Sequence, residues 1–252
     1  MKILITFALD VEFAPWRSLR PFSKISSDSV DAYESRFGGT EMRVVLTGVG
    51  GVNAKRAARA ALEWRPDVCI SSGLAGSLRV DYPIGQICAA SEVVELETGR
   101  SVGADLEMLR RAERHGAAII GKLLTSAAMI LSSEGKNRLG KMGEAVEMES
   151  FAVMSEAAAA GVPGIAIRAI SDAADEDLPM DFSGMLDDGG NVNASNVAKT
   201  VARAPHKLPA LMRLAKNSRS ASKKLADFLE AYVAGLAASS TAPAELAEAR
   251  RA

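Results

Sequence analysis

Apolar residues fall along this chain in short, nearly unbroken runs, and these alternate with amphipathic stretches. Residues 3–9, 42–46, 68–71, 86–90 and 164–168 read as strands. Runs with so few polar positions suit strands covered on both faces, as in a parallel sheet. Residues 54–64, 105–115 and 151–160 read as helices, the first preceded by Asn53 and closed by Pro66. The βα alternation predicts an α/β fold, a three-layer α/β/α sandwich around a mostly parallel, twisted central sheet. Glycines punctuate it: Thr47-Gly48-Val49-Gly50-Gly51 follows one strand, and Gly73-Leu74-Ala75-Gly76 reads as a turn ending another.

After Asp172 the pattern changes. Residues 173–188 are acidic and loop-like, and residues 189–224 contain no acidic residue. There Lys199, Arg203, Lys207, Arg213, Lys216, Arg219, Lys223 and Lys224 are interleaved with Leu208, Leu211, Leu214 and Ala215, which predicts a basic helical extension. Leu225, Phe228, Leu229, Tyr232, Val233 and Leu236 then recur at helical spacing, so one face of the last helix docks. Residues 1–236 are expected to form a single domain, and residues 237–252 a flexible tail.

Composition narrows the classes. A net charge of −1 gives no global attraction to nucleic acid or anionic membranes, so the basic stretch reads as the solvated face of helices. Two cysteines, Cys69 and Cys88, make no disulfide framework and fit a reducing cytoplasmic setting. Only His115 and His206 are present, without clustered cysteines, so no metal site is expected. No run approaches the roughly 20 apolar residues that span a bilayer, and Asp10 and Glu12 end the opening run too early for a signal peptide.

Two carboxylates stand out. Val146-Glu147-Met148-Glu149-Ser150 leads into the helix at 151–160, and Arg168-Ala169-Ile170-Ser171-Asp172 ends the strand at 164–168. The carboxyl ends of strands are where open α/β sheets bind ligands. Paired carboxyl groups can protonate a leaving group, deprotonate a water and stabilise an oxocarbenium-like sugar, the three needs of glycosidic cleavage. Blander readings stand beside this one. Gly48-x-Gly50 lacks the third glycine of a dinucleotide loop and reads as a tight turn, Met129 and Ile130 as core, and Glu147 as solvated or salt-bridged rather than catalytic.

These motifs resemble those of the nucleoside phosphorylase/nucleosidase superfamily, and are most similar to the bacterial 5′-methylthioadenosine/S-adenosylhomocysteine nucleosidases. Val146-Glu147-Met148-Glu149, Arg168-Ala169-Ile170-Ser171-Asp172, Gly48-Val49-Gly50-Gly51-Val52-Asn53 and Gly73-Leu74-Ala75-Gly76 carry the resemblance, with Glu12 after the first strand. It implies a purine nucleoside substrate, no cofactor and a homodimer. It further implies that Asp172 protonates N7 of the purine, Glu12 activates water, and Glu149 holds the 2′- and 3′-hydroxyls. Met148 would pack under the ribose, with Leu9 and Val49 near its 5′ side. Met129 and Ile130 would sandwich the base, and Ser171, Ala75 and Gly76 would complete the pocket.

Two departures from that pattern matter. Phosphorylases of the superfamily hold phosphate with an arginine and a serine where this chain has Ser71 and Leu74. Leu74 has no side-chain donor, so water is the expected nucleophile, with a phosphorylase as the alternative. Residues 91–105 are short and lack the aromatics of the family's insert, whereas Arg203-Ala204-Pro205-His206-Lys207-Leu208-Pro209-Ala210-Leu211-Met212-Arg213-Leu214 resembles the tail of hopanoid-associated phosphorylase-like proteins. That implies an adenosyl group on a bulky polycyclic lipid as a second substrate reading. A non-catalytic nucleoside-binding protein is the alternative of another class.

Overall fold

Strand β1 (Lys2–Phe7) lies between β4 (Thr40–Leu46) and β5 (Val68–Ser77), parallel to both, and β10 (Gly164–Asp172) runs parallel to β5 on its other side. All nine residues of β10 are buried, as expected of a strand with helices over both faces. The computed structural model describes residues 1–25, 30–180 and 205–248. At one margin β2 (Ser23–Ile25) and β3 (Asp31–Phe37) extend the sheet beyond β4 as antiparallel strands. β6 (Ile87–Glu95) pairs antiparallel with β10 and with β7 (Ser101–Gly103). The circuit closes through β8 (Ala118–Thr125) and β9 (Ala145–Glu147), because β9 returns to pair with β5. Thus β5, β10, β6, β8 and β9 form a closed ring at one end of the sheet.

Helices cover both faces, giving the three layers. On one side α2 (Gly51–Leu62) and α5 (Ser150–Ala159) pack closely because they offer alanines to the sheet: Ala54, Ala57, Ala58, Ala61 and Ala157 lie against Leu4, Val45 and Cys69. On the other lie α1 (Asp10–Leu19), α3 (Leu106–Arg114) and the long α6 (Leu208–Glu248). Phe13, Trp16, Leu225, Leu229, Tyr232 and Val233 join Ile5, Phe7, Ile70 and Ile167 in the larger core cluster. A short helix, α4 (Ser133–Leu139), follows β8.

Several expectations are revised. Gly73-Leu74-Ala75-Gly76 is not a turn but part of β5, which runs to Ser77 because β10 pairs with it on one side and β9 on the other. The strands β4, β1, β5 and β10 run parallel, as expected, while antiparallel pairs occur within the ring as well, β6 with β10 and β9 with β5. α6 is helical to Glu248, within the stretch 237–252 expected as a tail. Residues 181–204, including Lys199, Arg203 and much of the proposed basic extension, lie outside the described residues, as do 249–252. No helix among the described residues is long and apolar enough to cross a membrane.

Candidate active site

The carboxyl ends of β1, β5, β9 and β10 converge, and a cavity of about 650 Å³ opens there. Glu12, Leu9, Val49, Ala75, Gly76, Met129, Ile130, Met148, Glu149, Ser171 and Asp172 all line it. These residues come from stretches far apart in sequence, from Leu9 to Asp172. The fold brings together the residues expected in the pocket, while Gly48, Asn53 and Arg168 of the same motifs do not line it.

Glu12 enters from the first turn of α1. Its carboxylate reaches back over the helix start, where Oε2 accepts from the N–H of Ala8 at 3.0 Å and of Leu9 at 3.1 Å. Such a glutamate satisfies backbone donors that a helix N-terminus leaves unpaired. Oε1 accepts from the N–H of Leu74 at 3.1 Å, which ties α1 to β5. Gly73 makes room for this: its φ is +147°, and a β-carbon there would stand 3.2 Å from Glu12 Oε1. Burial pushes the Glu12 carboxyl above the usual range, against the pull of these N–H groups and the Arg168 cation.

Asp172 is aimed by a bulge. Ile170 pairs with Ala75 and Asp172 with Gly76, so Ser171 is an extra residue on β10. One extra residue re-aims the side chain that follows, a common device beside active sites. Asp172 Oδ1 accepts from Ser171 Oγ at 2.7 Å, and Ser171 Oγ also lies 3.2 Å from the carbonyl of Ala75. Gly76 is demanded by contact: a β-carbon there would fall 2.8 Å from Asp172 Oδ2.

Glu149 sits at the start of α5 and accepts from the N–H of Gly50 at 2.7 Å, joining the β4–α2 loop to the β9–α5 junction. Its carboxyl is pushed up to about 8, first by burial and then by the neighbouring Glu147. In the fold this group keeps its proton to about pH 8, whereas an unfolded chain releases it near 4.5. Native protein therefore binds the extra proton between those values, and stability falls as pH rises through that window. Glu149→Gln, neutral at every pH, should raise the melting temperature at pH 8–9 and have little effect at pH 5. A protein of this size gains about 2–4 °C per kcal/mol recovered, readable by thermal unfolding. Equal shifts at both pH values would refute the assignment.

Of the two readings of Glu147, solvated or salt-bridged, the structure shows the second, with the residue buried. Its Oε2 accepts from Arg168 Nη2 at 2.7 Å and from the N–H of Glu149 and Ser150 at 3.0 and 2.8 Å. Its Oε1 accepts from Thr125 Oγ1 at 2.5 Å. It thus caps α5 and neutralises Arg168, which is 2% exposed. Ser71 is also engaged: its Oγ accepts from Arg168 Nη2 at 3.2 Å and lies 3.2 Å from Ser150 Oγ.

The motifs did not foretell two parts of the site. Lys136, on α4, is 1% exposed, and its Nζ donates to Asp172 Oδ2 at 2.6 Å. An isolated lysine in the polar stretch Ser133-Glu134-Gly135-Lys136-Asn137 gives no sign that it is buried. The second part is a wall from α6, where Leu208, Leu211, Met212, Leu214 and Ala215 line the cavity. By pattern alone the leucines and basic residues there read as the solvated face of helices, and only the hopanoid-associated resemblance of residues 203–214 implied apolar helices beside an open 5′ pocket.

Among known proteins, the family model of the phosphorylase superfamily matches residues 2–234. Solved structures share the fold. The 5′-methylthioadenosine/S-adenosylhomocysteine nucleosidase of Helicobacter pylori, with butyl-thio-DADMe-Immucillin-A, is 21% identical over 93% of this chain and 98% of its own, with a TM-score of 0.73. Its Neisseria meningitidis counterpart, in complex with methylthio-immucillin-A, is 21% identical over 92% of this chain and 98% of its own, with a TM-score of 0.73. The futalosine hydrolase of Helicobacter pylori is 20% identical over 93% and 98%, again with a TM-score of 0.73.

Proposed function

The chain belongs to the phosphorylase superfamily, and from that premise we propose that it hydrolyses the N-glycosidic bond of an adenosyl nucleoside of the 5′-methylthioadenosine/S-adenosylhomocysteine type, releasing adenine. The observation that carries this reading is the meeting of Glu12, Glu149 and Asp172 in one largely apolar cavity. Asp172 gives a proton to N7 as the bond from N9 to the anomeric carbon breaks, so the base leaves neutral. Glu12 takes a proton from the water that attacks the anomeric carbon, and its burial suits it to that task, since a base works best with a pKa near the working pH. Glu149 accepts from the ribose hydroxyls, and Met148 packs beneath the sugar. The same reading takes the chain as a cytoplasmic homodimer.

Water rather than phosphate is favoured by what surrounds the nucleophile. A phosphate dianion in a partly dry site needs cationic or dense N–H partners. Leu74 spends its N–H on Glu12, and Ser71 is bonded to Arg168. Lys136, the one cation among the described residues lining the cavity, is held by Asp172. Adenine release from a panel of adenosyl nucleosides should proceed at the same rate with and without phosphate. If every substrate requires phosphate, the phosphorylase reading replaces this one. Binding of nucleosides without any release would point to the non-catalytic alternative.

A second reading differs only in the 5′ substituent. The α6 wall of Leu208, Leu211, Met212 and Leu214 suits a long apolar group, as in the adenosyl lipid substrates implied by the hopanoid-associated resemblance. Including an adenosyl nucleoside with a bulky alicyclic 5′ group in the panel separates the two, because the preferred substrate shows the higher kcat/KM.

A further inference from the structure

Lys136 is more than a cation withheld from phosphate. Lys136 Nζ donates to Asp172 Oδ2 at 2.6 Å, to the carbonyl of Ala173 at 2.7 Å and to the carbonyl of Glu176 at 3.0 Å. An ammonium has three N–H donors, and each here has an acceptor. A cation this buried is tolerated only when so fully matched, and it has no donor left for a substrate. Its reach into the cavity therefore passes through Asp172. Both oxygens of that carboxylate are held, Oδ2 by Lys136 and Oδ1 by Ser171 Oγ, while the glycine at position 76 leaves Oδ2 space.

We propose that Lys136 is the positioning residue of the proton donor: it fixes Asp172 at the base end of the cavity and stabilises the carboxylate that forms when the proton moves to the purine. The inference rests on the proton-donor role given to Asp172 above. In that step Asp172, having first taken a proton from solvent, gives it up: the O–H bond breaks, N7 gains the proton, and the electron pair stays on Asp172. Lys136 keeps its three protons throughout. Its ammonium, already in contact with Oδ2, balances the new charge without having to move, which is how preorganised groups lower a barrier. The carbonyls of Ala173 and Glu176 hold the ammonium in place, so the segment directly after β10 positions Lys136, and Lys136 positions Asp172.

Lys136→Met keeps the length of the side chain and removes the charge. It should lower kcat about 10- to 100-fold while KM for the nucleoside stays within about threefold, because substrate contacts are unchanged and only the proton transfer suffers. A general loss of packing would move both parameters. Lys136→Met is then repeated in an Asp172→Asn background. With no proton donor left to position, the lysine substitution should cost less than about threefold there, since residues that act as a unit are not additive. The double variant also carries neither buried charge, so it answers the question even if Lys136→Met alone folds poorly. A loss of tenfold or more on adding Lys136→Met to Asp172→Asn overturns the inference, as does a single variant within threefold of the parent. Parent-like turnover by Asp172→Asn alone overturns the proton-donor reading itself, and the inference with it.

Discussion

Asp172→Asn is expected to lower adenine release by about 100- to 10,000-fold, the range that general acid catalysis contributes. The substitution suits the question because the site can accept asparagine. Its amide oxygen can take the place of Oδ2 and receive Lys136, while its NH2 donates to Ser171 Oγ, which can accept. Position, shape and both local hydrogen bonds survive, and the proton available to N7 does not. KM should change little, since the loss falls on an interaction made as the bond breaks. Stability should fall somewhat because Lys136 loses its counter-charge, but the ammonium still faces two carbonyls and an amide oxygen. Steady-state kinetics on the best substrate, beside a melting curve, separate the two effects. Turnover within about threefold of the parent would place the proton donor elsewhere.

The sequence made some of this visible for physical reasons. Strands buried on both faces must be nearly all apolar, so β1, β5 and β10 announce themselves. Asp172 at the end of β10 and Glu149 at the start of α5 are then located by chain position alone. The reason for Gly76 was not legible there: a β-carbon would fall 2.8 Å from Asp172 Oδ2. The same holds for Gly73, where a β-carbon would stand 3.2 Å from Glu12 Oε1.

What was hidden depends on contacts between distant segments. β9 is only three residues long, and nothing local marks Ala145–Glu147 as the strand that closes the ring against β5 and β8. The pattern of Gly73-Leu74-Ala75-Gly76 suggests a turn because two glycines ordinarily mark one. Pairing of all four residues with β10, and of Gly76 with β9 as well, holds them extended instead. Lys136 is the sharpest case. A lysine is almost never fully buried unless paired, and its partner lies 36 residues away on another element. Only the fold reveals that pairing. α1 is similar, since Glu12 depends on where that helix sits. Trp16 Nε1 donates to Glu230 Oε2 at 2.8 Å, and Arg20 pairs with the same carboxylate, so α6 fixes the helix that carries Glu12.

Glu12→Gln is expected to be about as damaging to turnover as Asp172→Asn, again about 100- to 10,000-fold, but for a different step. Three backbone N–H groups point at the Glu12 carboxylate: those of Ala8 and Leu9 at Oε2, and that of Leu74 at Oε1. A carboxylate only accepts, so it satisfies all three. Glutamine replaces one oxygen with NH2, and whichever way it turns, a donor faces a donor. An unsatisfied buried group of this kind costs about 1–3 kcal/mol, although the loss of a buried charge offsets part of it. The nucleoside should still bind, because Asp172, Glu149 and Met148 are untouched, and isothermal titration with substrate can test this while turnover is slow. The pH dependence adds a second measure. Glu12 must be ionised to take a proton from water, and burial holds its carboxyl above the ordinary range. The acid limb of the parent's kcat profile should therefore lie above that of an exposed glutamate, and should vanish in the variant. A variant that keeps the parent's acid limb, or turns over within about threefold of it, would remove Glu12 as the base and leave water activation to another group.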